Sequence, residues 1–181
     1  MPLSYSSIGG VFTPFASPTR RRVPQPVYSH TKGLVFAGRP SHENITFDIV
    51  GTSRQGVSMR DVLAKSGSAN AWMACANDQV FASSGLKRIT LRIKWPGLEQ
   101  IDWVRSVDVN LSSGPITRAQ LAFVVAQNFA RFVEKGQYEH SAVPDWRLGQ
   151  NAIRFDHLVL VSLYNISGDS YQADIAVDPR A

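Results

Sequence analysis

The sequence contains little of what marks a secreted, metal-bound or membrane-embedded chain. It has one cysteine, Cys75, in 181 residues, so an internal disulfide framework and a cysteine-based zinc finger are excluded. No window of 18 residues is continuously apolar, and no apolar run follows a basic start, so we expect neither a membrane span nor a conventional secretory signal. A lone cysteine also suits a reducing compartment. The sequence therefore predicts an intracellular protein, cytoplasmic or nuclear.

The common catalytic and nucleotide-binding motifs are missing as well. The chain has no Walker A loop, no dinucleotide glycine fingerprint, no Gly-x-Ser-x-Gly elbow and no His-Glu-x-x-His pair. The acidic side chains are dispersed, so no paired-carboxylate glycosidase site is visible. The sequence therefore predicts no cofactor and favours a protein that is not an enzyme.

Acidic residues are absent from positions 1–42. This stretch holds five of the 19 Lys and Arg residues and six of the ten prolines, whereas the remainder of the chain has equal numbers of basic and acidic side chains. Proline blocks helices and removes backbone donors, so we predict a basic, partly ordered arm over residues 1–42 and a single domain over residues 43–181. The arm has two kinds of candidate contact residue: the basic Arg20, Arg21 and Arg22, and the aromatic Phe12, Phe15, Tyr28 and Phe36.

The arm suggests two kinds of partner. Its aromatic side chains are costly to leave in water, which favours docking on a protein or on a second copy of the chain. Its three adjacent arginines are able to contact phosphate, but they neutralise only a few phosphate groups. Because the domain itself carries no net charge, we expect at most weak nucleic-acid binding.

The clearest element is a long helix over residues 117–135. Thr117 and Gln120 have the spacing of a capping box, and Gly136 is placed as a C-terminal stop. A continuous apolar stripe runs along it, formed by Leu121, Val125, Phe129 and Phe132. We predict that this helix is the hub of the core.

Alternating apolar and polar residues predict strands before and after that helix. Residues 89–95 and 101–111 form one hairpin, residues 158–161 form a central strand that is apolar on both faces, and Tyr171 to Val177 form a more exposed edge strand. A short strand over 45–49, a capped helix over 58–65 and a second short helix within 66–88 come earlier. The fold class is α+β with a mostly antiparallel sheet, and the element order fits a β-grasp-like or a ferredoxin-like topology.

Three stretches resemble uncharacterised proteins of mushroom-forming fungi: residues 88–97, residues 114–121 and residues 171–175. The resemblance covers about the last 95 residues. It implies no activity, cofactor or binding residue.

Several side chains carry chemistry that the sequence leaves open. A metal site requires His140, Asp145, Asp156 and His157 to meet in space, and surface histidines are the commoner case. Cys75 is expected to be a small buried thiol. Trp95 and Trp103 are either a binding platform or, as we favour, part of the core. On the outer face of the first hairpin, Arg88, Arg92 and Lys94 are expected to be neutralised by Asp102 and Asp108.

These observations favour a non-enzymatic interaction module that binds a protein partner or itself. The expected docking element is the edge strand from Tyr171 to Val177, whose Asp174 and Asp178 would limit indiscriminate pairing. The alternatives are a nucleic-acid-associated protein that uses the basic arm and an enzyme with an unconventional site. We expect no membrane association.

Overall fold

A computed structural model describes residues 14–25 and 42–180, and in these ranges the fold is α+β as expected. A seven-stranded mixed sheet packs against one long helix and several short ones. The strands are β1 (Arg21–Arg22), β2 (Ile45–Thr46), β3 (Val57–Ser58), β4 (Arg88–Ile93), β5 (Trp103–Asp108), β6 (Asn110–Leu111), β7 (Gly114–Pro115), β8 (Leu158–Ser167) and β9 (Ser170–Val177). The helices are α1 (Met59–Ala64) and α2 (Arg118–Gly136), with 3₁₀ turns at Ser66–Ala71, Pro144–Trp146 and Phe155–His157.

The β8–β9 hairpin forms the centre of the sheet. The strands follow the order β2-β8-β9-β4-β5, while β3 shares one edge of β8 with β2, and β1 shares one edge of β9 with β4. All neighbours are antiparallel except β4 and β9, which run parallel. A small separate ribbon pairs β6 with β7. Both faces of β8 are largely buried, which confirms the prediction of a central strand.

The expectation that the last strand lies at an exposed edge is wrong. β9 is covered on both sides, because β8 pairs with one of its edges while β4 and β1 divide the other. The polar residues of β9 do not indicate solvent exposure, since Gln172 is fully buried and Asp174 is largely buried. A half-exposed strand and a buried strand whose polar side chains have buried partners show the same alternation of apolar and polar residues in sequence.

Helix α2 begins as predicted. The Thr117 side chain accepts a hydrogen bond from the Gln120 backbone N–H, and the Gln120 side chain accepts one from Thr117 N, so the capping box is complete. Gly136, expected to follow the helix as a C-terminal stop, is instead its last helical residue. A Cβ at this position would lie 2.8 Å from Leu148 Cδ1 and 3.1 Å from Leu98 Cδ1, so this glycine allows a close approach.

The core is centred on the inner face of α2, as predicted. Leu121, Val125, Phe129 and Phe132 are all buried. The Phe132 ring lies 6.3 Å from that of Trp95 and meets the Trp103 ring edge to face at 5.8 Å. Both tryptophans are therefore core residues that join the first hairpin to the helix, and neither is an exposed platform.

The shorter predicted elements are also present. Ser58 caps α1, the second short helix is the 3₁₀ turn at Ser66–Ala71, and the early strand is reduced to Ile45–Thr46. Ile49, expected to belong to that strand, is instead 46% exposed and forms an isolated bridge with Met73. Within the described ranges, no helix has the length and apolar character needed to cross a membrane.

Replacing Phe132 with alanine should lower the free energy of unfolding by about 3–5 kcal/mol, because it removes a buried ring that contacts both tryptophans. Urea denaturation followed by tryptophan fluorescence measures this change. Phe123→Ala on the same helix is the matched control, since Phe123 is only partly buried and should cost clearly less. Equal losses in the two variants would contradict the assignment of Phe132 to the core.

Candidate functional site

The described part of the arm, residues 14–25, lies along the sheet of its own domain. Strand β1 pairs antiparallel with β9, so that Arg21 is opposite Val177 and Arg22 is opposite Ala176. The backbone N–H of Val23 extends this pairing by donating to Ile175 O at 2.8 Å. These backbone contacts fill the half of the β9 edge that β4 leaves open.

Two of the three adjacent arginines of the arm, Arg20 and Arg22, are ion-paired within the chain. Arg20 Nε donates to Asp178 Oδ2 at 3.2 Å, and Arg22 Nη1 donates to Asp174 Oδ2. Thr19 Oγ1 adds a hydrogen bond to Asp178 Oδ1 at 2.9 Å. Because alternate residues of a strand face the same side, Arg20 and Arg22 lie together on the sheet face opposite α2.

Phe15 completes this contact. Its ring lies 5.5 Å from the Arg20 guanidinium carbon and 5.0 Å from that of Arg22, and it packs against Val159, Val161 and Ala176. The other aromatic candidates of the arm, Phe12, Tyr28 and Phe36, lie outside the described residues.

The two carboxylates that hold the arm have opposite pKa shifts. Burial raises the pKa of Asp174 above its usual value, and the Arg22 guanidinium only partly offsets this effect. Burial also acts on Asp178, but the hydrogen bonds from Thr19, the Arg180 backbone and Arg20 outweigh it, so the pKa of Asp178 is lowered. The fold therefore favours the ionised form of Asp178, whereas the burial of Asp174 opposes its ionisation.

Tyr164 is a further buried polar residue near Asp174. Its pKa is raised, mainly by burial and also by the nearby Asp174 carboxylate. Its hydroxyl has no hydrogen-bond partner among the described residues.

Strand β5 forms one edge of the sheet, β2 and β3 form the other, and β5 is the longest of these edge strands. The hydrogen bonds of its neighbour β4 define which backbone groups of β5 are available. Thr90 N–H donates toward β9, to Asp169 O, at 2.8 Å. The adjacent residues of β4 must therefore direct their backbone groups toward β5, where their register partners are Trp103, Arg105 and Val107. The intervening residues of β5 point their backbone groups away from the sheet; they are Val104, Ser106 and Asp108.

No strand in the described ranges pairs with this outer edge of β5. One side chain partly covers it, because Arg105 Nη1 donates to Val104 O at 2.8 Å. The same guanidinium lies 4.3 Å from the centre of the Trp103 ring. Arg105 therefore folds back along the edge and shields one of its carbonyl groups.

The structure brings together part of the predicted metal set. His140, Asp145 and His157 line one cleft of about 940 Å³, and Arg21 of the arm lines it too. Asp156 instead pairs with Arg154, at 2.9 Å. Among the described residues, no three His, Cys, Asp or Glu side chains are grouped closely enough to hold a metal ion.

Two of the three basic residues on the outer face of the first hairpin pair with the predicted carboxylates. Arg88 Nε lies 2.7 Å from Asp108 Oδ1, and Lys94 Nζ lies 3.2 Å from Asp102 Oδ1. Arg92 lies on the same strand face, half-buried beside Gln172 of β9. This surface therefore offers little excess positive charge to phosphate.

The prediction of a buried Cys75 is wrong. Its side chain is exposed, because the backbone turns there in the left-handed conformation with φ 53°. This turn places Met73 and Ala76 in the core and Cys75 on the surface. A small apolar neighbourhood in sequence does not determine the direction of one side chain in a loop.

Sequence reasoning missed the internal partners of the arm. Asp174 and Asp178 were assigned to solvent, although each neutralises an arm arginine. The signal was present as basic residues at alternate positions, Arg20 and Arg22, and as acidic residues four positions apart in β9 and just after it, Asp174 and Asp178. Only the pairing of the two strands makes that signal readable, since more than 150 residues separate the partners.

Replacing Asp178 with asparagine should destabilise the protein at pH 7 by about 1–3 kcal/mol, the usual worth of hydrogen bonds to a charged group. Since the folded-state pKa is lowered, this stabilisation is present above the unfolded pKa of about 3.9 and disappears as the pH falls through the folded value. Urea denaturation of both proteins at pH 7 and pH 3 should show the difference shrinking at the lower pH.

Asp102→Asn is the control for that measurement, because its ion pair with Lys94 is on the surface and should be worth less than about 1 kcal/mol. A difference between wild type and Asp178→Asn that is as large at pH 3 as at pH 7 would contradict the anchoring role of the carboxylate.

Comparison of the chain with protein-family models, with curated proteins and with solved structures finds no match. The observations that bear on function are therefore those of the molecule itself: an arm segment anchored on its own sheet, an open strand edge and a cleft with charged walls.

Proposed function

We propose that this chain is a non-enzymatic protein-interaction module that associates with a second copy of itself through the edge of β5. The observation that carries the proposal is the row of outward-facing backbone groups at Val104, Ser106 and Asp108, which no strand in the described ranges pairs. Unpaired strand edges are the usual templates for strand addition. The proposed docking strand is therefore β5 and not β9.

The composition of β5 supports pairing with a copy of itself. Two identical strands that meet antiparallel about a two-fold axis form an isologous interface. When Ser106 lies on that axis, Val104 faces Asp108 of the second copy and Arg105 faces Val107. This register keeps Arg105 from facing its own copy, which a shift of one residue toward the N-terminus would impose.

Arg105 regulates access to this edge. Its hydrogen bond to Val104 O occupies one of the outward carbonyl groups, and the contact is on the surface, where exchange for another partner costs little. Pairing with a second strand replaces this side-chain donor with a backbone N–H. Arg105 thus limits association with unrelated strands while allowing a complementary strand to displace it.

Two further properties belong to the same proposal. We assign a β-grasp-like topology, supported by the order β4–β5 hairpin, α2, β8–β9 hairpin, with β4 and β9 side by side and parallel. An intracellular location is supported by the exposed thiol of Cys75, which a reducing compartment keeps free.

Ser106→Pro should abolish self-association without unfolding the protein. Proline removes the outward N–H of Ser106 and leaves the hydrogen bonds between β4 and β5 intact, as is tolerated on an edge strand. Light scattering coupled to size-exclusion chromatography, at about 1–100 μM protein, should show a concentration-dependent dimer for the wild type and a monomer for the variant.

Ser106→Thr is the matched control, because it keeps the backbone N–H and the extended conformation, and it should dimerise as the wild type does. Arg105→Ala should raise the dimer fraction, since it uncovers the Val104 carbonyl. A wild type that stays monomeric over the whole concentration range, or a dimer that Ser106→Pro leaves intact, would refute this proposal.

A further inference from the structure

The cleft of about 940 Å³ has features of a ligand site that interaction through β5 does not use. No residue of β5 lines it. One wall carries Arg21 and the C-terminal end of β9, a second follows the end of α2, and a third is the loop that contains Arg147. Its volume is within the range of small-molecule pockets, about 300–1,000 Å³.

Arg21 is held in this cleft by its backbone and by its side chain. Its neighbours Arg20 and Arg22 turn toward the opposite face of the sheet to pair with carboxylates, so Arg21 faces the other way. Its guanidinium carbon lies 4.9 Å from the centre of the Trp146 ring. Stacking on an indole restricts the guanidinium plane and leaves its N–H groups available at the rim.

Trp146 is itself fixed in place. Its carbonyl oxygen accepts a hydrogen bond from Trp95 Nε1 at 2.7 Å, and its ring meets that of the buried Trp95 at 82° with centres 6.5 Å apart. The platform under Arg21 is therefore tied to the core. A cation held on a rigid platform loses little side-chain entropy when it binds a ligand.

A second guanidinium, that of Arg147, follows Trp146 in the chain and lines the same cleft. Among the described residues, neither Arg21 nor Arg147 forms an ion pair with a carboxylate. Glu139 and Asp145 also line the cleft, yet they reach neither arginine. The basic and acidic side chains that line the cleft are therefore not paired with one another.

We infer that this cleft binds a small molecule through an oxyanion group, with Arg21 and Arg147 as its principal contacts. Guanidinium groups match the geometry of phosphate and carboxylate oxygens and bind them through paired N–H donors. His157 also lines the cleft: its Nδ1 accepts the Arg154 N–H at 3.2 Å, which leaves Nε2 as the ring nitrogen that donates, and Nε2 lies 4.0 Å from Asp156 Oδ1. Glu139 and Asp145 oppose the anion, so the ligand's charge must lie toward the arginines.

Nuclear magnetic resonance titration of the full chain with inorganic phosphate and, in parallel, with acetate tests this inference. The Arg Nε–H signals and the backbone signals around residues 137–157 should shift saturably at constant ionic strength. Arg21→Gln and Arg147→Gln should each weaken binding about tenfold, as expected for the loss of a charge-assisted contact. Asp145→Asn should strengthen binding, because it removes a repulsive charge.

Arg131→Gln is the matched control, since Arg131 is an exposed arginine of α2 outside the cleft, and it should bind as the wild type does. Thermal denaturation of each variant confirms that it is folded. Tighter binding of phosphate than of acetate identifies the ligand group as a phosphate, and the reverse identifies a carboxylate. The inference is overturned if neither anion gives saturable shifts, or if Arg131→Gln weakens binding as much as the two cleft variants.

Discussion

The burial of both faces of the β8–β9 hairpin is the constraint on which the remaining structure depends. One face of β9 packs against the aromatic core beneath α2, and the other carries the carboxylates that receive the arm. Its two edges pair with three strands. Burying the carboxylates of Asp174 and Asp178 is costly unless each has a partner, and the arm supplies an arginine to both.

The arm consequently divides its charge between two faces of the molecule. Alternation along the extended segment 20–22 directs Arg20 and Arg22 to internal carboxylates and Arg21 to the cleft beside Trp146. Of the three adjacent arginines, Arg20 and Arg22 therefore stabilise the fold, and Arg21 forms no ion pair with a carboxylate of the described residues. The net charge of the arm says nothing about this division, which arises from strand pairing alone.

Because β1 and β4 pair with β9, the edge available for strand pairing is not the expected edge of β9 but lies at the end of the sheet. Because β9 is enclosed, the longest strand with an open edge in the described ranges is β5. The charged side chains of β5 have partners within the chain: Asp108 pairs with Arg88, and Arg105 donates to the outward carbonyl group of Val104. Such an edge resists indiscriminate aggregation and still offers backbone groups to a strand of matching register.

Local patterns were sufficient to predict the elements whose determinants lie close together in sequence. The capping box of α2, its apolar stripe, the capped α1 and the neutralised face of the first hairpin all depend on spacings of a few residues or on adjacent strands, and all are present. The position of β9 depended on segments far away in the chain, since β1 and β4 meet it only after folding.

The sequence alone therefore determined the α+β class, the central helix and the core tryptophans, because burial of an amphipathic pattern is a local property that any compact fold must satisfy. Only the tertiary structure decided that β9 is enclosed, which two of the three adjacent arm arginines pair with carboxylates and where Cys75 points. Those outcomes depend on which segments become neighbours, and a polar side chain has the same appearance in sequence whether its partner is water or a buried ion.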